Sequence, residues 1–145
     1  SIQFEPDDRD ELTLRFELDY PEPRVGRQSH SMPLTPELFA TEIAPARTFV
    51  LDREVEALRA QGNGARATTD NLNVLGPDGP RSGPFRFPNE CARHKLLDLL
   101  GDLALVGCGF TGTVIARQSG HALNHAAARR LSEQCEIWHQ RRSAS

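Results

Sequence analysis

The sequence predicts an α+β domain, a two-layer sandwich with helices packed on one face of a mostly antiparallel sheet. Three observations carry this expectation. Leu12, Leu14, Phe16 and Leu18 alternate with polar residues, the pattern of a half-buried strand. The run Asn89 to Asp102 carries Leu96, Leu97, Leu99 and Leu100, with Leu103 directly after it, as the core-facing surface of a helix. Strands and helices then follow one another without regular βαβ alternation, which suggests helices on one face of a sheet. With 145 residues the chain forms one domain over 1–145, large enough to bury about two thirds of its unfolded surface.

The remaining elements follow in order. Thr35-Pro36 starts a short helix, with Thr35 as N-cap and proline at the first helical position, and this helix must end before Pro45. Asp52 can cap a second helix carrying Val55 and Leu58, stopped by Gly62. Asn71 to Leu75 reads as a strand. Gly76 to Pro84, with three prolines and three glycines, reads as a surface loop. After the Leu-rich helix, a Gly-punctuated stretch from Leu103 to Gly112 leads to a strand at Thr113 to Gln118. Ser119 opens the last helix, whose stripe Leu123, Ala127, Leu131, Cys135 and Trp138 is amphipathic.

Composition narrows the function. A net charge of −3 with 26% charged residues gives no nucleic-acid footprint. There is no 18-residue apolar run and no signal-peptide pattern at the start, so neither a membrane span nor a secretory leader is expected. Cys91, Cys108 and Cys135 form no CxxC pair and cannot all be paired, which fits a reducing cytosol. The chain opens on Ser-Ile-Gln-Phe without a Met, as a processed or excised piece of something longer would.

The most informative chemistry lies on the Leu-rich helix. His94, Asp98 and Asp102 stand four residues apart and therefore stack along one helical stripe. Two carboxylates and an imidazole beside an apolar surface cost desolvation unless a positive group joins them. A divalent metal held by His94 and Asp98, with Asp102 behind, removes that cost, following the logic of paired ligands in zinc-binding helices. The plain alternative is a solvated acidic stripe with one histidine. His121 and His125 form another i,i+4 pair, at the start of the last helix, and spacing alone offers them as ligands too. Cys91 stands three residues before His94, as a thiolate ligand or, more simply, a small buried hydrophobe. His30 and His139 have no partners in sequence and read as surface residues.

Three strings favour the metal reading: Ile43-Ala-Pro-Ala-Arg-Thr-Phe49, Arg93-His-Lys-Leu-Leu-Asp-Leu-Leu-Gly-Asp102, and Ser119-Gly-His-Ala-Leu-Asn124. In this order they resemble the UDP-3-O-acyl-N-acetylglucosamine deacetylases, the zinc amidases of lipid A and hence lipopolysaccharide synthesis. Asp19-Tyr20 followed by Pro23, Gly26-Arg-Gln-Ser29 and Glu54-Val-Glu-Ala-Leu58 extend the likeness from about Leu12 to Leu131. Only the C-terminal half of that family is matched. The N-terminal half, with a further zinc-ligand histidine and the glutamate that serves as general base, has no counterpart here.

The resemblance implies roles. Zinc takes His94 and Asp98, with its third ligand from the absent half, as a three-ligand catalytic site requires. His121 becomes the proton donor or electrostatic stabiliser of the oxyanion. A protonated imidazole at a helix N-terminus needs a counter-ion, and Asp102 is the candidate. The alternative for His121 is a helix-start residue packing on the loop, and His125 reads as an exposed helix position. Thr48 matches a threonine that contacts the reacting carbonyl. Lys95, which would otherwise snorkel to solvent, falls on a substrate phosphate. Asp19 and Tyr20 fall where the uracil is received, or simply end a strand before a proline turn. The resemblance makes residues 49–75 a small inserted βαβ unit, with Val55, Thr68, Leu72 and Val74 lining an acyl passage. Core packing of such a unit explains the same four residues. Gln61-Gly-Asn-Gly-Ala-Arg66 is more polar than the family's segment, and Gly107-Cys-Gly109 lacks its usual proline. A non-catalytic UDP-sugar or metal-binding module derived from the enzyme is the competing class.

Overall fold

In a computed structural model, which describes residues 1–6, 10–62 and 64–143 and side chains as far as residue 134, two sheets and four helices form an α+β sandwich. The main sheet has four strands, β1 (Ile2–Glu5), β2 (Leu12–Asp19), β3 (Arg27–Pro33) and β7 (Gly112–Arg117), in the order β1-β7-β2-β3. β1 runs antiparallel to β7, and β3 antiparallel to β2, while the central β2–β7 pair is parallel. The alternation in β2 works as expected: Leu14, Phe16 and Leu18 are buried and Arg15 is exposed. Across the ladder, Leu14 lies opposite both Met32 and Val114, and Phe16 opposite Ala116, which fixes the register by apolar contact.

β3 has no apolar alternation in its sequence, Arg-Gln-Ser-His-Ser-Met-Pro, and pairing with β2 makes it a strand. Its inward Gln28 is held by hydrogen bonds: Nε2 donates to the Val25 carbonyl (2.8 Å), and Oε1 accepts from Ala92 N (3.3 Å). His30 is not the surface residue expected. Its side chain is 11% exposed and faces the Glu42 carboxylate at 3.9 Å. His139 lies outside the residues with described side chains, as do Cys135 and Trp138 of the last helix's apolar stripe.

Helices α3 (Glu90–Leu103) and α4 (His121–Ser143) pack on one another, α3 also against β2 and β3 and α4 against β1. Leu96, Leu99 and Leu103 of α3 and Ala128 of α4 meet Leu14, Phe16 and Val114 in one core. A second sheet joins β4 (Thr48–Leu51), β5 (Leu72–Gly76) and β6 (Gly79–Pro80). β4 and β5 are parallel, bridged by a turn of tight helix (Asp52–Glu54) and by α2 (Val55–Ala60). Leu51 and Leu75 carry this sheet into the main core.

Thr35 caps α1 (Pro36–Leu38) as expected, its hydroxyl accepting from Leu38 N (3.2 Å), and the chain then widens into a π-helical turn at Phe39–Ile43. Asp52 does not cap. Its carboxylate instead pairs with Arg81 at 2.6 Å, and Glu54 reaches back to Leu51 N. Cys91 is free and buried. Cys108 is disulfide-bonded. Among the described residues no helix is long and apolar enough to cross a membrane.

Candidate active site

α3 places its polar stripe on the flank beside the buried leucines. His94 and Asp98, one turn apart, approach to 3.3 Å between Nε2 and Oδ1, and both side chains are mostly buried. The other imidazole nitrogen, Nδ1, faces the Ala46 carbonyl at 3.3 Å. That contact orients the ring and turns Nε2 toward Asp98. Burial pushes the His94 imidazole below its usual range, against the pull of Asp98 and the Ala46 carbonyl, so the neutral form that a metal needs is favoured.

Lys95 is not loose in solvent. Its Nζ donates to Asp98 Oδ2 (2.9 Å) and lies 5.9 Å from the centre of the Phe49 ring. Phe49 in turn meets Tyr20 edge-on, with ring centres 5.9 Å apart, so β4 brings Tyr20 and Lys95 to a common aromatic surface. Asp19, at the end of β2, is exposed and paired with Arg27 at 3.0 Å.

Asp102 completes the stripe but joins a different group. Its Oδ2 accepts from His121 Nδ1 and from Asn124 Nδ2, both at 2.8 Å, and its Oδ1 accepts from His125 Nε2 at 2.9 Å. Burial raises the Asp102 carboxyl, but the bonds from Asn124, His121 and His125 outweigh it and hold the group below its ordinary value. The donor atoms of Asp102, His121 and His125 lie within 4.8 Å of one another, the distance range of a metal cluster. Contacts of 2.8 and 2.9 Å are nevertheless hydrogen-bond lengths, shorter than the edge of a tetrahedron of ligands around zinc. His125, expected to be a plain surface residue, has a specific partner. Two imidazoles clamp one carboxylate.

A cleft of about 1000 Å³ runs from His94 and His121 along the second sheet, past Thr48, Val50, Val55, Leu58, Leu72 and Val74. The parallel register explains this lining, because Thr48 pairs with Leu72 and Val50 with Val74, so all four face one side. Thr68 does not line the cleft. It sits in an exposed turn, its N–H bonded to Asn71 Oδ1 (2.9 Å) and its hydroxyl accepting from Asp70 N (3.3 Å). Arg59, Arg66 and Arg86 add positive charge to the lining, in keeping with the polar segment 61–66.

One feature of the site was invisible in the pattern of the chain. Glu90, 1% exposed, grips Arg47 through Nε at 2.8 Å and Nη2 at 3.0 Å. It also accepts from Arg47 N (3.0 Å) and Arg86 N (2.8 Å). The Arg47 guanidinium donates onward to the Ser82 and Pro84 carbonyls (3.1 and 2.8 Å), tying loop 76–84 to α3 beside Thr48. Burial pushes Glu90 up, but Arg47 and Arg86 more than reverse it, and Glu90 raises Arg47 in turn.

Over residues 1–133 the chain matches the LpxC family, UDP-3-O-acyl N-acetylglycosamine deacetylase. It belongs to that family. Among its relatives, the UDP-3-O-acyl-N-acetylglucosamine deacetylase of Leptospira biflexa serovar Patoc (strain Patoc 1 / Ames) is 42% identical over 86% of this chain, and 41% of the relative is covered. That of Nitratidesulfovibrio vulgaris is 41% identical over 89% of this chain and 42% of the relative. That of Chlamydia abortus is 44% identical over 86% of this chain and 45% of the relative. The chain thus spans less than half the length of these curated relatives. The resemblance seen in its motifs is therefore a family membership, carried by one half of the longer proteins.

Proposed function

We propose that this chain is the C-terminal half of a zinc-dependent UDP-3-O-acyl-N-acetylglucosamine deacetylase, acting in the cytoplasm on the N-acetyl group of its substrate. The observation that carries the reading is the His94–Asp98 contact at the head of the cleft. Two donors each about 2.0–2.1 Å from a tetrahedral zinc stand roughly 3.3 Å apart, and the imidazole nitrogen and carboxylate oxygen are 3.3 Å apart here. The residues fit the metal. Zinc at this position supplies polarisation of the amide carbonyl and acidification of a water.

The chain's own residues do the rest. His121, fixed through Nδ1 by Asp102, keeps Nε2 for the proton that the leaving amine requires and for the charge that develops on the carbonyl oxygen. Thr48 lies in the same cleft and offers its hydroxyl to the reacting carbonyl. Lys95 takes a phosphate of the nucleotide, next to Tyr20 and Asp19 for the uracil. Val55, Leu72 and Val74, with Val50 and Leu58, receive the acyl chain, and Thr68 lies outside that passage. The third zinc ligand and the general base come from the N-terminal half. A domain interface is a common place for such a site.

A second reading, a non-catalytic UDP-sugar or metal-binding module, draws on the approach of Asp102, His121 and His125. One experiment separates the two. The 145-residue chain is titrated with zinc and assayed for deacetylation, alone and with the N-terminal half of the Leptospira relative supplied in trans. Tight zinc binding and turnover are expected only with both halves. Turnover by this chain alone, or zinc binding that His121→Ala abolishes and His94→Ala spares, would overturn the assignment.

A further inference from the structure

The Asp102 carboxylate is held by three side chains from the first turns of α4, at positions 121, 124 and 125, one face of the helix. An ionised carboxylate only accepts, so His121 must carry its proton on Nδ1 and His125 on Nε2. The two histidines are not equivalent. His121 reaches the cleft, whereas His125 is not among the residues that line it. Their rings stand 6.0 Å apart, and the single carboxylate between them is 10% exposed.

From this arrangement we infer that His125 is a positioning residue for His121, acting through the carboxylate they share. The bond at Oδ1 prevents the carboxylate from turning about its own axis, so Oδ2 stays aimed at His121 Nδ1.

The catalytic part of this inference rests on the deacetylase reading, and the test keeps the two apart. Side-chain nitrogen NMR of the metal-free 145-residue chain reads the tautomer of His121 in the parent, in His125→Ala and in His125→Gln. The parent should hold the Nδ1–H form. His125→Ala should give a mixture of the two tautomers, and His125→Gln, which keeps a donor to Oδ1, should restore the Nδ1–H form. In the enzyme assembled with the N-terminal half, kcat should fall several-fold in His125→Ala and recover in His125→Gln, with KM and zinc content unchanged. An unaltered tautomer in His125→Ala, or loss of zinc from that variant, would overturn the inference. An inactive parent assembly would remove the deacetylase reading alone, and the tautomer would still decide the role of His125.

Discussion

Glu90→Ala is the most severe single change the structure suggests outside the chemistry itself. The carboxylate accepts four hydrogen bonds, three from Arg47 and one from Arg86 N, and both members of the pair are nearly inaccessible, at 5% for Arg47 and 1% for Glu90. Truncation leaves a guanidinium in the interior with carbonyl partners only, and two backbone N–H groups lose their acceptor. Breaking a buried pair from one side costs about 3–5 kcal/mol, a large share of the roughly 5–15 kcal/mol that stabilises a domain. For a chain of this size each kcal/mol moves the melting temperature by about 2–4 °C, so a fall of roughly 6–20 °C is expected in a far-UV circular dichroism melt. The double variant Arg47→Met, Glu90→Leu should lose less than Glu90→Ala, because no charge is stranded. Zinc affinity should weaken as well, since Arg47 adjoins the Ala46 carbonyl that orients His94. A Glu90→Ala melt within about 2 °C of the parent, or a double variant worse than the sum of the singles, would refute the account.

Other changes have defined outcomes. His94→Ala should lower zinc affinity by orders of magnitude, measured in the two-half assembly, with the far-UV spectrum unchanged. Unaltered affinity would move the metal site elsewhere. Asn73, 1% exposed, has neither amide atom hydrogen-bonded among the described residues, so Asn73→Val should stabilise the fold by about 1–2 kcal/mol in urea titration; a loss of stability would refute this. Stability should fall with acid. His94 is held below its ordinary 6.5, so the unfolded chain takes up protons first as pH drops below that value. Glu90 and Asp102, held below 4.5 and 3.8, add stability that is complete above those values and is lost as pH falls through their lower folded-state values. A flat stability profile between about pH 7 and 5 would contradict the His94 assignment, and one that stays flat from about pH 5 down to 2 would contradict those of Glu90 and Asp102.

The sequence by itself determined the elements whose signal is periodic or punctuated. The alternation in β2, the leucine-studded α3, the Thr35-Pro36 start and the strand before Gln118 are local statements, and they transfer directly to the structure. It also determined the family, because three strings in fixed order are specific whatever the fold around them. Tertiary structure decided the rest. β3 is a strand only because β2 offers it a ladder, and nothing in Arg-Gln-Ser-His-Ser-Met-Pro announces that. The stripe of His94, Asp98 and Asp102 is one feature in sequence and two in space, since α4 takes Asp102 away from the pair. His125 acquires a partner 23 residues back, and Glu90 one 43 residues back. A lone charged residue in sequence carries no sign of whether it will be buried against its counter-ion. The physical reason is that periodicity reports which face of an element is apolar, whereas pairing between polar groups depends on how separate elements dock.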